Sequence, residues 1–143
     1  MIIGIASDHK GFLLKQSLTN YLKEKGYNII DYGTNSLDSV DYPPYAFKVG
    51  EAIQNKNIAL GILICGTGIG MSIACNKVKT VRCAKVSNLN EAFLAKSHNK
   101  ANVIAISAEI ENSYEIIDKF LETPFSNDER HNRRIEMIDN YDN

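Results

Sequence analysis

The feature that most constrains the fold is a regular alternation of short apolar runs with longer amphipathic segments. Five runs rich in isoleucine and valine predict strands at residues 2–6, 27–32, 59–64, 81–86 and 103–106. The segments between them repeat apolar residues every three or four positions and predict helices at about 10–25, 45–54, 90–97 and 111–122, with a short one ending at 77. Strands that alternate with helices form a parallel sheet covered on both faces. We therefore expect an α/β fold, a three-layer α/β/α sandwich with a five-stranded, Rossmann-like parallel sheet.

The length of the chain, 143 residues, fits one domain, so we expect residues 1–143 to share a single core. Residues 126–143 differ from the rest because they are polar and charged. Within them, Ile135 and Ile138 form an apolar strip beside a basic face. We expect this segment to be a C-terminal helical arm that packs on a partner subunit.

Charge and hydropathy limit the partners of the chain. Its formal net charge of −1 gives no general attraction to nucleic acid or to acidic membranes, so we expect neither as a partner. No run approaches the roughly 20 apolar residues that span a bilayer, and the apolar start is cut off at Asp8 without a basic leader. The three cysteines have no metal-binding spacing. These features predict a cytoplasmic protein with reduced thiols.

A glycine-rich turn after the third predicted strand is the strongest local signal. It consists of Cys65-Gly66-Thr67-Gly68-Ile69-Gly70. Three glycines in five residues let the backbone turn sharply and point several N–H groups inward, and such a nest binds anions. It would also favour the thiolate form of the neighbouring Cys65. A tight turn around a buried cysteine is the structural alternative.

Three known glycine-loop chemistries fit this turn poorly. A mononucleotide P-loop ends in Gly-Lys-Ser/Thr, whereas Gly70 is followed by Met71. A dinucleotide fingerprint follows the first strand and has an acidic residue about 20 positions further on, whereas this turn follows the third strand. A cysteine-dependent phosphatase needs an arginine after Cys65, and none occurs before Lys77. We therefore expect the loop to hold an oxyanion that forms during the reaction.

Further polar groups are candidates for the same site. Asp8-His9 follows the first predicted strand, at the sheet edge where such folds place active sites, although a helix cap is the alternative. We expect the loop after the fourth strand, residues 87–89, to lie there too. His98-Asn99 ends a predicted helix, where a histidine can simply interact with the helix dipole. Arg130 and Arg134 lie one helical turn apart and could grip a phosphate or form a solvated basic face.

Taken together, these motifs make the chain similar to the type B ribose-5-phosphate isomerases, a family that also includes allose-6-phosphate isomerases and the subunits of galactose-6-phosphate isomerase. The similarity extends to about residue 140 and rests on several motifs in the same order. The motifs are Asp8-His9 with Gly11-Phe12, Asp41-Tyr42-Pro43, Ile64 through Gly70, Asn76-Lys77, His98-Asn99, Asn102-Val103, and Arg130-His131 with Arg134.

The resemblance implies an aldose–ketose isomerase that interconverts ribose 5-phosphate and ribulose 5-phosphate through a cis-enediolate, without a cofactor or a metal. Cys65 would be the base that removes the proton beside the aldehyde, and Thr67 would bond the reacting oxygens. His98, with Asp8 nearby, would open the furanose ring. The enediolate would be stabilised by backbone N–H groups of the loop. These belong to Gly66, Thr67, Gly68, Ile69 and Gly70.

The resemblance also assigns the residues that bind the sugar phosphate. Tyr42 and Asn99 would bind hydroxyl groups, with Asp8 in the same site. The phosphate would be held by His9, Arg130 and Arg134. In relatives the two arginines come from a second subunit, which implies a homodimer and leaves a tetramer open.

One position departs from the family pattern and leaves the substrate open. Relatives carry an arginine seven positions beyond the residue equivalent to Asn102, and this chain has Glu109. Because that arginine contacts phosphate in relatives, a six-carbon substrate such as allose 6-phosphate is a second hypothesis. A catalytically silent sugar-phosphate binding protein is a third. Cys65, Thr67 and His98 count against it, because binding alone needs no thiol base.

Overall fold

Five parallel strands form the centre of the fold, which the computed structural model describes for residues 1–141. The strands are β1 (Ile2–Ser7), β2 (Asn28–Asp31), β3 (Leu60–Cys65), β4 (Cys83–Lys85) and β5 (Val103–Ser107). The helices of this part of the chain are α1 (Phe12–Glu24), α2 (Pro43–Gln54), α3 (Ile69–Cys75), α4 (Leu89–Ser97), α5 (Ser113–Glu122) and α6 (Glu129–Asp139). The strand order is β2-β1-β3-β5-β4, and every pair is parallel. The predicted five-stranded parallel sheet is confirmed.

The predicted boundaries are right to within a few residues, and two differences have a physical reason. Helix α2 begins at Pro43 rather than near residue 45, because proline fits the first turn of a helix, where its missing N–H is not needed. Strand β4 is shorter than the predicted range 81–86. It lies at the edge of the sheet and pairs with β5 through three residues.

Helices cover both faces of the sheet, as the alternation predicted. Along β3 and β5 successive side chains point to opposite faces, and almost all of them are buried. Ile62 and Ile104 pack with residues of α1, α4 and α5 in one core. Leu63, Cys65 and Ala105 pack with residues of α2 and α3 in the other. Cys65 therefore lies on the α2–α3 side of the sheet, at the carboxyl end of its central strand.

A buried charge links α1 to the sheet. Lys15 is 1% exposed, and its Nζ lies 2.5 Å from Oδ2 of Asp31 at the end of β2. The other oxygen of this carboxylate, Oδ1, accepts a hydrogen bond from the Gly33 N–H at 2.8 Å. Loss of Asp31 would leave an unpaired ammonium in the interior, which is costly. The pair therefore fixes the start of the loop that leads to α2.

The C-terminal helix packs partly on its own chain. His131 and Ile135 lie on one face of α6 and are buried, and Arg82 bonds Asp139 at 2.8 Å. Ile138 continues the same face one turn beyond Ile135 but is 54% exposed, and Met137, on another side of the helix, is 69% exposed. The expected contact of this arm with a partner subunit stays a prediction, and residues 142 and 143 of the arm lie outside the described part of the chain.

The three cysteines are free thiols, with Cys65 and Cys75 buried and Cys83 partly buried. Among residues 1–141, no helix has the length and apolar character needed to cross a membrane.

Candidate active site

The glycine-rich loop joins the end of β3 to the start of α3. At its centre Gly68 has φ of +82°, in the left-handed region that favours glycine. A Cβ atom at Gly68 would also lie 3.0 Å from the carbonyl carbon of Ile106, so the loop backbone packs directly on β5. These two constraints exclude a side chain at this position and hold the loop against the sheet.

Cys65 is fixed at both its side chain and its backbone. Its Sγ accepts a hydrogen bond from the Gly68 N–H at 3.2 Å, and the side chain is 5% exposed. Its carbonyl oxygen accepts from the Ala108 N–H at 2.8 Å, and Ser107 Oγ donates to the Gly66 carbonyl at 2.7 Å. The loop therefore holds the Cys65 sulfur in one position at the end of β3.

Cys65 faces a cleft of about 430 Å³ at the carboxyl ends of β1 and β3. The size is that of a small-molecule site, and the position is the one expected for a parallel sheet. The residues that line the cleft are Asp8, Lys10, Tyr42, Cys65, Gly66, Thr67, Ile69, Gly70 and Ile73. The predicted loop, Asp8 and Tyr42 are thus brought together in one place.

Asp8 and His9 form the turn before α1. Asp8 Oδ1 accepts from the N–H groups of Lys10 and Gly11 at 3.0 and 3.1 Å and so closes the turn. Gly11 is the N-cap of α1 and no side chain caps the helix, so the helix-cap alternative for Asp8 is wrong. His9 Nδ1 accepts from the Val40 N–H at 3.1 Å, which ties the loop before α2 to the cleft. Because Nδ1 is an acceptor, a neutral His9 carries its proton on Nε2.

Tyr42 reaches the cleft because Gly70 has no side chain. A Cβ atom at Gly70 would lie 2.6 Å from the Tyr42 hydroxyl oxygen, well inside contact distance. The Tyr42 residue precedes α2 and is 37% exposed. Its hydroxyl group therefore forms part of the cleft wall, where it can meet a ligand.

Lys10 also lines the cleft, and no role was predicted for it. Its Cδ and Nζ would lie 3.2 and 3.6 Å from a Cβ atom at Gly66, so the side chain extends over that glycine toward the cleft. The position directly after Asp8-His9, at the end of a parallel strand, was an available signal. Lys10 brings a positive charge to the same cleft as the sulfur of Cys65.

His98 lies at the amino ends of the strands, opposite to the carboxyl ends where Cys65 lies. It caps the C-terminus of α4, and α4 runs antiparallel to the strands that it connects. His98 is therefore close to the start of β5, whereas Cys65 pairs with Ser107 at the end of β5. Five residues of a strand span about 16 Å. The expectation that Asp8 lies near His98 is not met within one chain.

Asn99, Arg130 and Arg134 belong to this second group. The His98 ring stacks on the His131 ring of α6 with centroids 4.3 Å apart, which places α6 beside the end of α4. Arg130 and Arg134 are exposed on α6, one turn apart as predicted. Asn99 is exposed and follows His98. One chain thus presents two separate sets of candidate residues.

The loop after β4 does not join the cleft, contrary to expectation. Its polar groups cap α4: Asn88 Oδ1 accepts from the Glu91 N–H at 2.8 Å, and Glu91 Oε1 accepts from the Ser87 N–H at 2.7 Å. Strand β4 is also separated from β3 by β5. The loop after β4 is therefore a helix start.

The second group contains a perturbed histidine. Burial lowers the pKa of His131, and the neighbouring His98, Arg130 and Arg134 lower it further, against the opposite effect of Asp128. The lowered pKa favours the neutral form of the His131 ring. Among residues 1–141, no cluster of three or more His, Cys, Asp or Glu side chains could hold a metal ion.

Comparison with known proteins identifies the family. The ribose/galactose isomerase family model matches residues 3–138. Ribose-5-phosphate isomerase B of Escherichia coli (strain K12) is 39% identical over 139 residues, which cover 95% of this chain and 93% of that protein. The chain therefore belongs to the ribose/galactose isomerase family. It is an enzyme of the intramolecular oxidoreductase class.

The fold of this chain is also highly similar to solved structures of ribose-5-phosphate isomerases B. Ribose-5-phosphate isomerase B of Clostridium thermocellum matches with a TM-score of 0.96 and 40% identity, covering 99% of this chain and 97% of that one. Ribose-5-phosphate isomerase B of Mycoplasma genitalium with bound ribulose 5-phosphate matches with a TM-score of 0.93 and 43% identity, covering 99% of this chain and 95% of that one.

Proposed function

We propose that this chain interconverts ribose 5-phosphate and ribulose 5-phosphate through a cis-enediolate, without a cofactor or a metal. The observation that carries the proposal is the sulfur of Cys65, which faces the cleft and accepts a hydrogen bond from the Gly68 N–H at 3.2 Å. The similar enzyme from Mycoplasma genitalium has ribulose 5-phosphate bound, which supports a five-carbon substrate.

The proposed chemistry moves one proton between two carbons. The Cys65 thiolate removes the proton from C2 of the open aldose, the C2–H electrons form the C1=C2 bond, and O1 takes the negative charge. The Thr67 hydroxyl relays a proton from O2 to O1, and the Cys65 thiol returns its proton to C1. The Gly68 N–H donates to the sulfur, and the Ile69 N–H donates to Thr67 Oγ1 at 3.1 Å. The proposed donors to the enediolate oxygens are therefore the N–H groups of Gly66, Thr67 and Gly70, and such stabilisation usually contributes most to this kind of step.

The remaining proposed roles need a second copy of the chain. His98 would open the furanose ring, Asn99 would bind a hydroxyl group, and Arg130 and Arg134 would hold the phosphate with His9. His98 and Cys65 lie at opposite ends of the strands, so one chain cannot place both on one sugar. A homodimer, in which the end of α4 and the arm of one copy meet the cleft of the other, supplies a complete site.

Glu109 bears on the choice of substrate. It follows β5, is exposed, and its N–H donates to Ser107 Oγ at 3.1 Å, beside the loop residue Gly66. A carboxylate at this edge repels a phosphate instead of binding it. The alternative substrate, allose 6-phosphate, would place its phosphate one carbon further from the sulfur.

An isomerisation assay with ribose 5-phosphate and with allose 6-phosphate tests the proposal. We expect a higher kcat/KM for ribose 5-phosphate, and activity that persists in EDTA. Higher activity on allose 6-phosphate would assign the six-carbon reaction. Binding of both sugars without turnover would identify a silent binding protein.

A matched pair of variants tests the assignment of the base. Cys65→Ala should lower kcat by about a thousandfold or more while substrate binding stays within a few-fold. Cys83→Ala removes a thiol outside the cleft and should keep normal turnover. Near-normal kcat in Cys65→Ala would show that another group is the base.

A further inference from the structure

His131 is a buried imidazole that the proposed mechanism does not use. It is 6% exposed and lies on the face of α6 that packs on its own chain. Its neighbours Arg130 and Arg134 on α6 are exposed instead. Because buried polar rings need partners, the contacts of His131 indicate its role.

One edge of the His131 ring is fixed by Ser126. His131 Nδ1 lies 2.7 Å from Ser126 Oγ. Ser126 Oγ also accepts from the Asp128 N–H at 3.2 Å, which holds the hydroxyl oxygen in place beside Nδ1. The Ser126 N–H donates to the carbonyl of Ser97 at 2.9 Å, so the support for His131 is attached to the residue before His98.

The flat side of the His131 ring is in contact with His98. The two ring centroids are 4.3 Å apart at an interplanar angle of 29°. Phe93 approaches His98 edge-on, with centroids 6.5 Å apart at 65°. The His98 ring thus has an aromatic contact with its own helix and another with α6, and the α6 contact is the closer one.

We propose that His131 is a positioning residue, whose stacked ring sets the orientation of His98 for opening the sugar ring. The proposal rests on the proposed acid–base role of His98. It adds a second function to α6, which would hold the phosphate with its exposed arginines and orient the acid–base group with its buried histidine.

The charge state of His131 suits this role. Its pKa is lowered by burial and then by His98, Arg130 and Arg134, with Asp128 opposing. A neutral ring can stack on a protonated His98 without repulsion between two cations. His98 can therefore gain and lose a proton while the contact persists.

Kinetics of three variants separate positioning from docking of the helix. His131→Ala removes the ring and should lower kcat about tenfold or more, with KM within threefold of wild type. His131→Phe keeps a flat ring and should restore kcat to within about threefold of wild type. Asn132→Ala, on the same helix, removes bonds to Asn127 and should leave both constants unchanged. If His131 only docks α6, the arginines move with it, KM rises, and the proposal is overturned.

Nitrogen-15 NMR gives a readout that needs no activity. The chain has three histidines, so the ring signals can be assigned by single substitutions. In His131→Ala the His98 signals should shift and average between tautomers, whereas those of His9 should stay unchanged. Unchanged His98 signals would refute the positioning role. If His98→Asn keeps full turnover while His131→Ala still alters the His98 signals, the ring-opening assignment fails and the positioning contact stands.

Discussion

Two inactive variants of this chain should restore each other's activity when they form mixed dimers. Cys65→Ala removes the proposed base, and His98→Asn removes the proposed ring-opening group. Within one chain the two residues lie at opposite ends of the strands, and the length of β5, about 16 Å, separates them. If each site takes Cys65 from one copy and His98 from the other, a mixed dimer has one site with both defects and one site with neither.

The size of the recovery follows from counting pairs. Random pairing of equal amounts gives about half mixed dimers, each with one intact site of two, so the mixture should reach about 25% of wild-type activity per subunit. The two variants are unfolded together and refolded, or coexpressed, and the ribose 5-phosphate assay is run against the unmixed variants. No recovery above the unmixed variants would mean that each site is built from one chain, and the two-subunit proposal would be wrong.

A mixture of wild type with the double variant Cys65→Ala/His98→Asn is the matched control. Sites shared between copies leave activity only in wild-type dimers, about 25% of that of the same total amount of wild-type subunits. Sites confined to one chain would leave about 50%. Shared sites thus give about 25% of wild-type activity in both mixtures, whereas sites confined to one chain give almost none in the first mixture and about 50% in the second. Neither comparison depends on how fast the enzyme is.

Three further predictions follow from the described contacts. The first concerns the rates at which anionic iodoacetate and neutral iodoacetamide alkylate Cys65, measured by peptide mass spectrometry. Lys10→Met should lower the iodoacetate/iodoacetamide rate ratio about threefold or more, since a cation beside the sulfur attracts the anion. An unchanged ratio would show that the Lys10 charge does not lie beside the sulfur. Glu109→Arg should lower KM for ribose 5-phosphate about tenfold at constant kcat, because a charge-assisted contact with the phosphate replaces repulsion of the phosphate. An unchanged KM in steady-state kinetics would contradict this prediction. Folding lowers the pKa of His131, so its contribution to stability is complete above about pH 6.5 and is lost as pH falls through the folded pKa. The melting temperature of the wild type should therefore fall more steeply below pH 6.5 than that of His131→Phe. Equal slopes for the two proteins would disprove this prediction.

The architecture could be predicted because its signals are local. The apolar runs of β3 and β5 have both faces buried, which only a sheet covered on two sides provides. The cleft could be placed because Asp8 and the Cys65 loop both follow strands, and carboxyl ends of parallel strands meet at one edge. Gly68 could be singled out as a turn residue, although its contact with β5 could not.

Other features depend on contacts that a sequence pattern does not contain. Lys15 is buried only because the pairing of β1 with β2 brings Asp31 to it, and its type alone predicts an exposed position. The contact of Tyr42 with Gly70 joins segments that are far apart in the chain. The separation of His98 from Cys65 is different, because the predicted alternation already implied it: a helix between parallel strands ends where the next strand begins. The expectation that Asp8 lies near His98 in one chain was therefore inconsistent with the predicted fold.

The position of Cys65 at the end of β3 has a consequence for how the enzyme fails on heating. β3 lies between β1 and β5, all six of its residues are buried, and the Cys65 carbonyl is bonded to the Ala108 N–H. Amide protons in such a strand exchange with solvent only when the whole sheet opens. The sulfur is thus anchored in the strand that should exchange most slowly, so heat should expose the Cys65 thiol to solvent reagents only on global unfolding.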